Sequence, residues 1–173
     1  MAFVSQEDKK KLAPKIKEVL KKYNMKATIS VNNHSTLCVN IKEGELDIVG
    51  ASMKARLDDF ERTELYRDPR TVKYLASRLD NYVRVNEYWI SETYAEYPVI
   101  KEFLLELKEA MEGPEFFNHD DSMTDYFHRS HYTDINVGNW EKPYVCTAND
   151  KFDPEPRVEE IRNIADQLIK EAA

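Results

Sequence analysis

Glycine is nearly missing from this chain. Only four occur in 173 residues, at Gly44, Gly50, Gly113 and Gly138, and they are scattered. A loop that cradles phosphate needs several glycines within a few positions, so P-loop and dinucleotide-binding fingerprints are excluded. Cysteine is scarcer still. Cys38 and Cys146 each stand in a strand-like run without the paired spacing of a zinc knuckle, and they read as reduced, buried hydrophobes with no disulfide. Long apolar runs are also lacking, and the N-terminus MAFVSQEDKKK turns charged too early for a secretory h-region. Neither a membrane span nor an export signal is therefore expected, and the chain reads as a cytoplasmic protein. There is no internal repeat, no low-complexity tract and no cofactor-binding motif.

Positive charge is short everywhere except at one end. The net charge is −7, yet residues 1–26 carry eight lysines against Glu7, Asp8 and Glu18, a local balance of +5. Residues 92–135 hold eleven acidic side chains against Lys101, Lys108 and Arg129, a balance of −8. A nucleic-acid binder shows the opposite sign over its main surface, so general nucleic-acid binding is disfavoured.

The apolar residues that are present, 42% of the chain, suffice for one domain spanning 1–173. Ser5 with Asp8 three residues on resembles a capping box, and Leu12, Ile16, Val19, Leu20 and Tyr23 follow at helical spacing. Pro14 inside that pattern implies either a kink or a helix beginning near Ala13. Alternation over Lys26–Asn32 and Ser35–Ile41 predicts two strands joined by a turn at Asn32-Asn33-His34, because asparagine tolerates positive φ. A third strand is predicted over Glu45–Val49. Residues 50–80 read as a helical insert, Val83 and Val85 as a fourth strand, and Pro98–Met111 as a helix stopped by Gly113-Pro114. Tyr132–Gly138 alternates as a last strand, and residues 153–173 form a C-terminal helix. The fold class is therefore α+β: a mixed or mostly antiparallel sheet of about five strands, three main helices and a helical insert.

The richest chemistry is concentrated in residues 119–146. Two His-x-Thr triplets, His34-Ser35-Thr36 and His131-Tyr132-Thr133, each lead into a strand. They resemble the paired motifs of the 2H phosphoesterases, which would make His34 and His131 an acid–base pair and Thr36 and Thr133 phosphate contacts. Asp134 departs from that pattern, since a carboxylate beside a phosphate pocket repels its ligand. His119, His128 and His131 are the candidates for metal ligands, although residues three apart on a strand face opposite ways. Glu102, Glu106, Glu109, Asp120, Asp121 and Asp125 form an acidic run that would suit a basic partner or imitate a phosphate backbone, or would simply be the wet face of a helix. Trp89 and Trp140 belong to an aromatic set larger than the core needs, and such residues anchor interfaces.

The runs Ala13-Pro14-Lys15-Ile16-Lys17, Asn33 to Ile41, Val85-Asn86-Glu87-Tyr88, Thr124-Asp125-Tyr126-Phe127 and Asp134 to Tyr144 resemble a group of small uncharacterised proteins carried by tailed bacteriophages and mobile elements. The resemblance implies a phage-encoded protein acting in a bacterial host and implies no activity. The expectation is a non-enzymatic binding module that engages a host or phage protein through its acidic, aromatic-rich surface. The phosphoesterase is the alternative.

Overall fold

The computed structural model describes all 173 residues as an α+β domain with a five-stranded mixed sheet. Helix α1 (Gln6–Lys22) starts at the capping box: the Asp8 amide donates to Ser5 Oγ at 3.0 Å, and the Ser5 amide donates to the Asp8 carboxylate at 2.9 Å. Pro14 lies inside the helix and does not delay its start. It lies on the exposed side, so the carbonyl that its missing N–H leaves free can bond to water. Strands β1 (Met25–Asn32) and β2 (Thr36–Gly44) follow as a hairpin. Asn33 (φ 52°) and His34 (φ 55°) make its turn, closed by the Ser35 amide donating to the Asn32 carbonyl. Both turn positions need left-handed backbone, which is why a polar turn residue of this kind stands there.

The predicted strand at Glu45–Val49 does not form. Asp47 instead caps helix α2 (Ile48–Arg62), its carboxylate accepting the Gly50 amide at 3.0 Å and the Phe152 amide at 2.7 Å. The cap, the unbroken burial from Ile48 to Met53 and the continuation to Leu57 and Phe60 at helical spacing override the β-propensity of Ile48-Val49. The insert continues through two short 3-10 turns and helix α3 (Pro69–Lys73). Strand β3 (Val83–Arg84), helices α4 (Ile90–Thr93) and α5 (Pro98–Glu112), strands β4 (Tyr132–Val137) and β5 (Val145–Cys146) and helix α6 (Glu155–Ala172) complete the chain. No helix is long and apolar enough to cross a membrane.

Strand order is β1-β2-β4-β3. β4 runs parallel to β2 from Thr36 to Ile41, and β5 pairs with the same edge of β2 at Glu43 and Gly44. The chain between Val137 and Val145 thus leaves the sheet and returns to it. Gly138 begins this excursion at φ 68°, where a Cβ would lie 2.4 Å from the Tyr144 backbone nitrogen. Leu37, Val39 and Ile41 of β2 and Ile135 and Val137 of β4 point to one side, all essentially inaccessible, against α1 and α5. The other side is mainly polar, with Cys38 enclosed beneath it: Asn136 donates to Asn40 and Asn40 to Ser30, each at 3.2 Å, while Arg84 pairs with Asp134 at 2.6 Å.

A second, smaller core lies away from the sheet. Leu57 and Phe60 of α2, with Val72 and Leu75, meet Val158, Ile161 and Ala165 of α6. Arg157 fastens the same junction through Asp58 and Glu61, each at 2.8 Å. Leu57 is fully enclosed there, so Leu57→Ala should leave a cavity costing about 2–5 kcal/mol. Denaturant unfolding measures the total loss, and hydrogen exchange should show α6 amides losing protection before those of β2. Equal loss in α6 and β2 would mean that the two cores open as one.

Candidate functional site

β3 is short, and its departure opens the edge of β4. The antiparallel register pairs Val83 with Val137 and Arg84 with Asn136, the Val85 amide bonds to the Ile135 carbonyl, and the same register places Glu87 opposite Thr133. Thr133 shares the inward parity of Ile135 and Val137, so Glu87 follows Val83 and Val85 onto the inward side. A carboxylate is thereby carried to the end of α5, beside Lys108 and Glu112. Thr133 Oγ1 donates to Glu87 Oε2 at 2.5 Å, while Glu87 Oε1 is buried without a hydrogen-bond partner. Burial raises the carboxyl to about 7 against the lowering effects of the Thr133 bond and Lys108. The gap around it is a cleft of about 350 Å³ that also exposes Thr36, Arg129, His131 and Asp134.

One wall of the cleft is the base of a hairpin arm, residues 117–130. Its two sides are held by Ser130 N–H to Phe117 O, His119 N–H to His128 O, and the mutual Asp121–Tyr126 pair. The tip turns on Asp121, whose carboxylate accepts from the Met123 amide and the Thr124 hydroxyl, and on Asp125 in left-handed backbone. Asp120 and Arg129 clasp the two sides of the arm together: the guanidinium grips Asp120 Oδ2 through Nε at 2.6 Å and also through Nη2, and it reaches the body by stacking on the Tyr132 ring at 4.6 Å. That contact holds the Asp120 carboxyl below its usual range. The N-terminus braces the arm from behind, with Phe3 N–H on Ser130 O and Val4 N–H on His34 O. The arm's free side stacks Phe117, His119, Tyr126 and His128, with ring centroids 4.9–6.0 Å apart. No residue from 117 to 130 is buried, and Met123 at the tip is 92% exposed.

The predicted residues fall into separate places. His131, Thr36 and Thr133 meet in the cleft, but His34 stands exposed in the β1–β2 turn and does not line it. His131 is 6% exposed, its Nε2 on the Met111 carbonyl at 2.9 Å and its ring against Phe116. The two imidazoles therefore do not face one phosphate, because His131 takes the inward parity of β4 while the hairpin turn carries His34 to the surface. His119 and His128 are neighbours on the arm, 5.8 Å between rings, but His131 is on the body and no group of three His, Cys, Asp or Glu converges to hold a metal.

The acidic run also divides. Glu106 accepts from Lys22 at 2.7 Å and from the Tyr23 hydroxyl at 2.9 Å, so it joins α1 to α5 and is not offered to a partner. Asp120 is equally committed to Arg129, at 12% side-chain exposure. Glu102, Glu109, Asp121 and Asp125 remain exposed. Trp89 and Trp140 are exposed outside the arm, at 57% and 76%.

Glu87 and Arg129 were not singled out from sequence. The signal for Glu87 was legible: Val83, Val85 and Glu87 share one parity, which puts a carboxylate on the buried side. Arg129 gave none, since only the folded arm sets it against Asp120 and Tyr132. Comparison with protein-family models, curated proteins and solved structures finds no match for this chain.

Every cation at the cleft already has a carboxylate: Arg84 with Asp134, Lys108 with Glu112, and Arg129 with Asp120. With Glu87 added, the lining offers no unneutralised cation for a phosphate. Glu87 also makes a pH test. In the folded protein it keeps its proton to about 7, whereas the unfolded chain loses it near 4.5, so stability falls as pH rises across that window and levels off above it. Glu87→Gln should remove this slope and leave the variant more stable at pH 8 by on the order of 1–3 kcal/mol. Urea unfolding across pH 4–8 decides; parallel curves for the two proteins would disprove it.

Proposed function

We propose that this chain is a non-enzymatic binding protein that grips a basic surface of another protein through the arm at 117–130. One observation carries the reading: the arm holds Met123, Tyr126 and Phe127 more than half exposed to solvent, with the partly covered Phe117 beside them. Exposed aromatic and methionine side chains ringed by polar groups are the composition of an interface centre. Asp121 and Asp125 at the tip, and Glu115 before the arm, surround that centre with negative charge. A basic partner is thereby favoured and an anionic one repelled. The stretch is rigid enough to serve because its base is tied by the Asp120–Arg129 pair and by the Phe3 amide.

The phage resemblance supplies the setting, a protein of the phage or host inside a bacterial cytoplasm, with interference in a host or defence protein as the consequence. The paired-histidine phosphoesterase is not favoured, given the exposed His34 and the neutralised cations of the cleft.

Met123→Ser combined with Tyr126→Ser should change stability by less than about 0.5 kcal/mol, as surface replacements do. The same variant should lose a partner that the wild-type chain captures from bacterial lysate, and raised salt should release that partner from the wild type. Mass spectrometry of the two captures is the measurement. Identical captures would end the arm reading, and so would a captured protein that is acidic.

A further inference from the structure

The opposite edge of the sheet carries a second surface. β1 is the terminal strand, and none of the backbone groups of Met25–Val31 bonds to anything but β2. Its sequence MKATISVN has no proline and no acid, and Lys26 is its one charge. Proteins usually blunt so long an edge with charges, proline or a covering element. Here the edge is free, and Ala27, Ile29 and Val31 are only half-buried along it.

Helix α1 decides what this edge accepts. It packs on β1 with one flank turned to α5, where Lys22 holds Glu106 and Tyr23 stacks on Phe103 at 5.1 Å. At about 100° per residue, Lys10, Lys17 and Lys21 fall on the flank turned away from α5. Since β1 is the last strand on that side, this flank lies beside its outer edge. Lys17 and Lys21 indeed border one groove of about 600 Å³ with Met25, Lys26 and Ala27. All three flank lysines are exposed and none has a carboxylate within ion-pair distance. Glu43 and Glu45 share the groove, but Glu43 is held by Lys26 at 2.9 Å and the one free acid, Glu45, is outnumbered by Lys17 and Lys21, which leaves the flank positive.

We infer that the outer edge of β1 is a docking edge for an extended acidic segment of another protein, which adds to the sheet as a further strand and sets its carboxylates against Lys10, Lys17 and Lys21. Main-chain bonds supply the pairing and the lysines supply the choice of sequence. A second copy of this chain is disfavoured by the same charges, because two-fold pairing through β1 would bring two lysine flanks together. The surface is separate from the arm, and its occupant has the opposite charge.

The test is a selection from a displayed random-peptide library on the full chain, followed by binding and amide exchange with the selected peptides. Selected sequences should carry Asp or Glu at alternate positions, and their binding should protect alternate amides within Ala27–Val31. Lys17→Glu with Lys21→Glu should weaken binding by about tenfold or more while leaving the melting curve in place. The Met123→Ser, Tyr126→Ser variant should bind these peptides as the wild type does, so failure of either surface is read separately. The inference is overturned if no acidic sequences emerge, if protection falls outside β1, or if the lysine reversals leave affinity unchanged. Sedimentation showing a dimer that protects the same β1 amides would overturn it in favour of self-pairing.

Discussion

The parallel pairing of β2 with β4 is the constraint from which the rest of the architecture follows. Six residue pairs, Thr36 with Tyr132 through Ile41 with Val137, place Leu37, Val39, Ile41, Ile135 and Val137 on one inaccessible side. Parallel neighbours cannot be joined by a tight turn, so the chain from Gly44 to Tyr132 has to travel around the sheet. That journey contains the helical insert, β3, α4, α5 and the arm. α5 arrives beside α1 and closes the core, and its C-terminal end then delivers the chain back to the start of β4. The arm is the last loop of this return, which is why it is rooted at the edge of β4 and why its latch, Arg129 on Asp120, rests on the β4 residue Tyr132.

Several charges in this protein are used to join distant parts of the chain. Lys22 with Glu106, Arg157 with Asp58 and Glu61, and Arg84 with Asp134 each join elements far apart in sequence, and Arg129 with Asp120 ties the two sides of the arm. The more exposed of them, Lys22 with Glu106 and Arg84 with Asp134, contribute little singly, about 0–1 kcal/mol, so they orient surfaces more than they hold the core. What they leave unpaired is informative. Lys10, Lys17 and Lys21 stay free on one side of the molecule, and Asp125, Glu102 and Glu109 stay free elsewhere. The net charge of −7 thus coexists with a run of free lysines on α1.

Much of the fold was legible from short-range pattern. The Ser5 capping box, the stripe of Ile16, Val19 and Leu20, the alternation of Leu37, Val39 and Ile41, and the helix from Pro98 all depend on neighbours within a few residues, and each is where the pattern put it. The failure at Glu45–Val49 has the same origin. Ile48-Val49 carries β-propensity, but Asp47 as a cap and the apolar spacing of Met53, Leu57 and Phe60 beyond it make it a helix start. The site was less legible. His-x-Thr repeated twice suggested a shared cleft, and two of the triplets' members, Thr36 and Thr133, do share one with His131. His34 does not, because a tight turn and a strand start impose different side-chain directions on the same three-letter pattern.

By itself the sequence determined the extent of α1 and α5 to within a few residues, which strand faces are apolar, that glycine-rich phosphate loops are out of reach, and that the N-terminal segment is basic while the stretch 92–135 is acidic. These are properties of local periodicity and composition, which act before any tertiary contact exists. Only the tertiary structure decided that β4 returns parallel to β2, that Glu87 is carried beneath α5, that Glu106 and Asp120 are spent on internal partners, and that residues 117–130 stand out as an arm. Each of these depends on which distant segments meet, and that is set by the joint burial of apolar faces, a quantity no window of neighbouring residues contains.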